Sequence, residues 1–154
     1  MSWTVLPEET AGKVADALQP TLIDLIDLHL LGKQAHWTVV GERFQSVHER
    51  LDVLVDAWRL WSDSVAERIV TLGVIPKGRA QDVGDRGAGR EFPLAWLADR
   101  DAIRLVAERV EVAARKARDS RQTVADLDVI SDALLQGIIE GLEEQLWMLR
   151  AHLK

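Results

Sequence analysis

The sequence predicts an all-α chain: a four-helix bundle in which one long crossover joins the second helix to the third. Three observations carry that expectation. Apolar residues recur at steps of three and four along most of the chain. The periodic stretches are each long enough for a bundle helix, roughly 20–30 residues. Two of the links between them are short, whereas one is long and rich in Gly, Arg and Asp.

Helix one carries Val14, Leu18, Leu22, Leu25 and Leu28 on one stripe and runs to about Trp37. Glu8 and Glu9 supply negative charge for its first turn. Pro20 falls inside the pattern and is expected to bend the helix or mark an irregular start. The break at Val39 to Gly41 ends it. Helix two is expected from about Arg43 to Leu72, with Phe44, Val47, Leu51, Leu54, Val55, Trp58, Val65 and Ile69 as its apolar stripe. Gly73 stops it and Pro76 follows, the usual punctuation at a helix C-terminus. Lys77 to Phe92 reads as the long connection, followed by a short helix around Pro93 to Leu97. Helix three spans about Arg100 to Ser120 and helix four about Val129 to Leu153. The order is up-down-down-up, in one domain over residues 1–154 with 1–9 as a short N-terminal segment.

Composition narrows the chemistry. The chain has 154 residues, long enough to bury a real core. It has no cysteine, which removes disulfides, thiolate zinc sites, iron–sulfur ligation and cysteine nucleophiles together. Any metal site must be built from His, Asp and Glu. The formal net charge of −6 argues against strong contact with a phosphate backbone and suits a protein that collects cations. No secretion signal opens the sequence, and no apolar run approaches a membrane span, so the expected location is the cytoplasm.

Metal-ligand residues concentrate in one stretch: His36, His48, Asp52, Asp63 and Glu67. His48 and Asp52 are four apart and share a helix face, as do Asp63 and Glu67. Asp52 and Asp63 are separated by 63 − 52 = 11 steps, close to a whole number of turns, so both pairs project from nearly one stripe of helix two. They cannot meet on one ion within one chain, because they stand roughly 16 Å apart along the axis. Metal–ligand bonds for these donors are only about 2.0–2.2 Å. The pairs are therefore separate, or they meet on different chains. A two-fold axis laying helix two antiparallel on its copy would join His48 and Asp52 of one subunit to Asp63 and Glu67 of the next. His36 could complete the first half. Imidazole and carboxylate ligands with open positions suit Fe(II), with zinc or manganese as competitors. Such pairs also occur by chance on solvated helices, so spacing alone leaves both readings open.

With those residues in view, the sequence resembles the Dps family of miniature ferritins. The resemblance covers nearly the whole chain and is strongest from Gly32 to Gly78. The family's pattern is a His-Trp pair, a second His twelve residues after the first, an Asp four later, then Asp and Glu four apart. His36, Trp37, His48, Asp52, Asp63 and Glu67 meet it without substitution. The resemblance implies a ferritin-like bundle with a short helix in the crossover, assembled as a hollow dodecamer with ferroxidase sites at its two-fold interfaces. It implies that His36, His48 and Asp52 come from one subunit and Asp63 and Glu67 from its partner. Fe(II) would be oxidised there, preferentially by hydrogen peroxide, and stored as ferric mineral in protection against oxidative stress. It also implies a pore lined by Asp128 and Asp132 through which iron enters; acids near a helix start can equally complement its dipole. Trp37 either quenches stray oxidants beside a ligand or packs at the helix end. Glu49 either faces the mineral cavity or is a solvated surface residue.

The chain departs from the family pattern in one respect. Many relatives bind DNA through Lys-rich tails, but "MSWTVLPEET" has no basic residue and the last residues are "RAHLK". Lys77, Arg79, Arg86 and Arg90 cluster in the long link, interrupted by Asp82, Asp85 and Glu91. Strong DNA binding at physiological salt is not expected. Two functions of different class are thus in play: an iron-oxidising storage enzyme, and a nucleoid-associated protein that protects DNA by coating it.

Overall fold

The computed structural model describes residues 3–86 and 92–154. Its order is helix α1 (Glu8–Thr38), strand β1 (Val39–Val40), helices α2 (Phe44–Thr71) and α3 (Ala80–Arg86), strand β2 (Leu97–Ala98), then helices α4 (Asp99–Val124) and α5 (Val129–Ala151). The four long helices match those expected, with α4 and α5 as helices three and four. Helix α1 packs along α2 and α4, and α4 along α5. Their apolar stripes close one core, from Val14 and Leu18 through Leu51, Trp58, Val110 and Ala117 to Leu135 and Leu142. No described helix is long and apolar enough to cross a membrane.

One local expectation is corrected, and Pro20 is found within α1 rather than at its start. The short helix of the crossover is Ala80–Arg86, inside the stretch read as connection, and not Pro93 to Leu97. Pro93 cannot donate a backbone hydrogen bond, and the chain there extends into β2 instead. Arg79 closes α3 at its start, pairing with Asp82 at 2.9 Å. Helix α1 is continuous through Pro20. The proline removes a single backbone donor, and burial of Val14, Leu18, Leu22 and Leu25 on either side holds the helix together. Of the basic cluster in the link, Arg90 and Glu91 and the side chain of Arg86 lie outside the described residues.

The end of α2 behaves as its sequence promised. Gly73 takes φ +81°, its N–H donates to the Val70 carbonyl at 2.8 Å, and the Val74 N–H reaches the Ile69 carbonyl at 3.2 Å. This is the paired bonding of a Schellman cap, which only a residue tolerant of positive φ closes cheaply.

An unexpected parallel pair ties the bundle ends together: Val39 lies against Leu97 and Val40 against Ala98. It joins the end of α1 to the start of α4, so α2 and α4 both leave from that end. The up-down-down-up order follows from this bridge and the long crossover. Gly41, at φ +132°, completes the corner, since a Cβ there would stand 2.8 Å from Asp99 Oδ2. The same Oδ2 accepts the Arg43 N–H at 2.9 Å.

A polar seam crosses the core between α1 and α4. Asp24 is buried, and Lys116 Nζ donates to its Oδ1 at 3.0 Å, while its Oδ2 finds no hydrogen-bond partner among the described residues. Burial pushes the Asp24 carboxyl up, against the opposing pull of Lys116. Because the folded chain holds this proton more tightly than the unfolded one, the stabilisation is complete below the ordinary value of 3.8 and is lost as pH rises through the raised value. Urea unfolding between about pH 4 and pH 7 is expected to show this loss, and Asp24→Asn to flatten it.

Candidate metal centre

Two ends of the α1–α2 hairpin bring the histidine half together. His36 sits in the last turn of α1 and His48 in the second turn of α2, with the five residues of the β1 corner between the helices. Their rings stack with centroids 3.6 Å apart and planes 20° apart. His36 Nδ1 lies 2.9 Å from the His48 carbonyl oxygen, and His48 Nδ1 lies 2.9 Å from the His36 carbonyl oxygen. A carbonyl only accepts, so each Nδ1 must carry its proton. In the neutral ring that leaves the lone pair on Nε2, the tautomer a metal ligand needs. No described residue hydrogen-bonds either Nε2. Phe44 flanks the pair, its ring centroid 5.0 Å from that of His48.

Asp52, one turn beyond His48, joins them: its Oδ1 is 3.4 Å from His36 Nδ1. A residue that the ligand pattern overlooked sits here too. Lys33 Nζ donates to Asp52 Oδ1 at 2.6 Å. That bond first, then the nearby His36, Lys33 and His48, hold the Asp52 carboxyl below the usual value. The signal was legible in principle, because Lys33 stands three residues before His36 and so shares its helix face.

Asp63 and Glu67 are exposed on α2, with no hydrogen-bond or ion-pair partner among the described residues. Asp63 lines an open cleft with His29, Arg59 and Ser62 on one side and Pro76, Gly78 and Arg79 on the other. Burial and then Arg59 push the His29 imidazole down. The structure does not bring this carboxylate pair to the histidines. Among the described residues, no three His, Asp or Glu side chains of one chain converge to hold a metal ion.

The remaining candidates have definite places. Trp37 is 64% exposed beside His36, so it is not a core residue of the chain itself. Trp58 is fully buried, as expected of a core tryptophan, and Trp61 packs on Gly141. Glu49 is exposed and takes a hydrogen bond from Gln45 at 3.0 Å. Asp128 is the N-cap of α5, accepting from the Ile130 and Ser131 amides and the Ser131 hydroxyl. It is buried and paired with Arg68 at 2.6 Å. Asp132, one turn on, pairs with Arg121 at 2.8 Å. Both acids therefore serve the α5 start directly. Near them, in the turn before α5, Asp126 is exposed with no partner among the described residues.

Comparison with known proteins agrees with this frame. Residues 15–154 match the ferritin-like domain family. The chain is 40% identical to a DNA protection during starvation protein of Mycolicibacterium smegmatis, over 97% of this chain and 81% of that one. It is 38% identical to the fine tangled pili major subunit of Haemophilus ducreyi, over 94% of this chain and 76% of that one. Dps from Microbacterium arborescens, solved in a high iron form, superposes with a TM-score of 0.92 at 29% identity, covering 97% of each chain. A helical frame, family match and relatives in such agreement place this chain in the Dps family of ferritin-like proteins.

Proposed function

We propose that this chain oxidises and stores iron, with Fe(II) as its substrate and hydrogen peroxide as the preferred oxidant. His36, His48 and Asp52 of one subunit and Asp63 and Glu67 of a second copy form the oxidation site. One observation carries the reading: the reciprocal Nδ1–carbonyl bonds lock two adjacent imidazoles in the ligand tautomer. A merely structural histidine pair has no need to leave both Nε2 atoms unbonded. The distance along α2 between His48 and Asp52 on one side and the free carboxylates Asp63 and Glu67 on the other supports completion by a second copy. So does the exposure of Leu30, Trp37, Val53 and Leu60 on the same two helices, an apolar surface that association would cover. The high iron form of the Microbacterium arborescens relative supports iron as the metal. A hollow dodecamer and a cytoplasmic setting belong to the same proposal.

The chemistry follows from the donor set. Neutral imidazoles bind Fe(II) at neutral pH, and carboxylates offset the charge gained on passing to Fe(III). Two Fe(II) each give one electron to hydrogen peroxide, whose O–O bond breaks; two protons are taken up and two waters form. Pairing the electrons in this way avoids release of hydroxyl radical. Trp37, exposed beside His36, is placed to give up an electron to any stray oxidant. In the assembly, a pore near the start of α5 would present Asp126 beside Asp128 and Asp132, whose charges Arg68 and Arg121 already offset.

Anaerobic Fe(II) loading followed by peroxide tests the reading. Wild type is expected to consume about two Fe(II) per peroxide rapidly, and His48→Ala/Asp63→Ala to fall to the rate of protein-free buffer. Equal rates for variant and wild type would refute the site.

The name of the Mycolicibacterium smegmatis relative favours a second reading, DNA protection by direct coating. A gel-shift series in rising salt, with and without Mg²⁺, separates the two. Retardation that survives moderate salt would establish the coating role; none is expected from a chain of net charge −6.

A further inference from the structure

We propose that Asp56 and Arg59 pair reciprocally with Arg59 and Asp56 of a second copy, a charge lock that sets the register of the two-fold contact. The inference rests on the reading of the five ligands as one site shared between two copies. It comes from a symmetry of α2 itself. His48, Asp52, Asp56, Arg59, Asp63 and Glu67 follow one another at steps of 4, 4, 3, 4 and 4 residues. At about 100° of turn per residue, those steps keep all six on one side of the helix, apart from the buried stripe of Leu51, Leu54, Trp58 and Val65. The midpoint of this line falls between Ala57 and Trp58. His48 and Glu67 lie equally far from it, as do Asp52 and Asp63, and as do Asp56 and Arg59. An antiparallel two-fold that sets the ligand pairs opposite each other therefore has its axis at that midpoint. It also sets Asp56 of each copy opposite Arg59 of the other, once on either side of the axis.

The electrostatics agree. Arg59 is the one basic residue of the line, and it stands where the two-fold brings it an acid. Both side chains are exposed, and neither makes a hydrogen bond or ion pair with another described residue. Val53 and Leu60, both largely exposed, flank the pair with apolar surface. Covering that surface takes water away from the two ion pairs, so each gains over an ion pair on an open surface. The same charges oppose a wrong register. Sliding one copy by a turn in one direction sets Asp56 against Asp63 and Asp52 against Glu67. Sliding it the other way leaves Asp56 opposite the buried Val55, with no cation.

Charge reversal tests the lock. Sedimentation velocity of the full-length protein over a concentration series reads self-association for wild type, Asp56→Arg, Arg59→Asp and the chain carrying both changes. Each single variant sets like charges face to face twice per dimer. Its association midpoint is expected to move to about a hundredfold higher concentration. The shift should shrink as salt is raised. The chain with both changes exchanges the two partners and should return near wild type. A mixture of equal amounts of the two single variants is the sharper case, because only mixed dimers pair every charge. Native mass spectrometry should find mixed dimers in large excess over the half that random pairing gives. Should a single variant fail to fold, Asp56→Asn or Arg59→Gln takes its place, with association about tenfold weaker. Single variants that associate like wild type overturn the lock, and so does a mixture with no excess of mixed dimers. Peroxide-driven iron oxidation is recorded on the same samples. Wild-type oxidation at the rate of protein-free buffer overturns the shared site and the lock with it. Unaltered association of the single variants, with wild type still oxidising iron, overturns the lock alone.

Discussion

Reassembling two inactive variants is expected to restore iron oxidation. One chain carries His36→Ala and His48→Ala; the other carries Asp63→Ala and Glu67→Ala. Each alone lacks one half of every site. In a mixed dimer, the intact histidines of one chain face the intact carboxylates of the other, while the second site is doubly disabled. Random pairing of equal amounts puts about half the chains in mixed dimers, each with one working site of two, so about a quarter of wild-type activity returns. The measurement is peroxide-driven Fe(II) oxidation after joint refolding, against each parent refolded alone. A within-chain site predicts no recovery whatever the mixture. The structure gives the physical reason to expect recovery, because Asp63 and Glu67 stand apart from the His36–His48 stack and no described group of one chain closes a metal site.

The largest loss of stability is expected from Trp58→Ala. Trp58 is fully buried in the α1–α2–α5 core, and its indole N–H donates to Gln145 Oε1 at 2.8 Å. Its ring occupies the space that Gly32 leaves on α1: a Cβ at Gly32 would stand 2.6 Å from Trp58 Cζ3. Removing the ring opens a cavity in a seam where two helices approach closely, at a cost of about 3–5 kcal/mol. Trp58→Phe separates the two contributions. It keeps much of the volume and leaves the buried Gln145 oxygen unpartnered, for about 1–3 kcal/mol. Urea unfolding at one protein concentration measures both, since assembly makes apparent stability depend on concentration. Equal small losses for the two variants would show that neither the cavity nor the hydrogen bond matters here. The effect reaches the metal centre as well. Gly32 immediately precedes Lys33, so slack in this seam loosens the register that holds Lys33 on Asp52 and His36 on His48.

The four long helices were legible because each buries a wide stripe, and a stripe of that length has one period. Val14, Leu18, Leu22 and Leu25 specify their face of α1 strongly enough to carry the helix through Pro20. The crossover was read less well, since seven residues of helix are too few for periodicity to show. Ala80–Arg86 depends on local contacts such as Arg79–Asp82. The β1–β2 bridge was invisible for a different reason. Val39 and Leu97 are far apart in sequence, and nothing in either segment announces the other.

The sequence by itself determined the ligand inventory. Absence of cysteine and the spacing of His48, Asp52, Asp63 and Glu67 depend only on residue identity and helical rise, which also rule out closure within one chain. Tertiary structure alone decided what state those ligands are in. The tautomer of each histidine depends on a carbonyl twelve residues away, delivered by the tight corner at Gly41. The ammonium on Asp52 depends on the close approach of α1 to α2 at Gly32. It also depended on tertiary structure that Asp128 and Asp132, spaced like ligands, are held by Arg68 and Arg121 from other helices. Spacing along one helix reports which side chains share a face; only packing reports what that face meets.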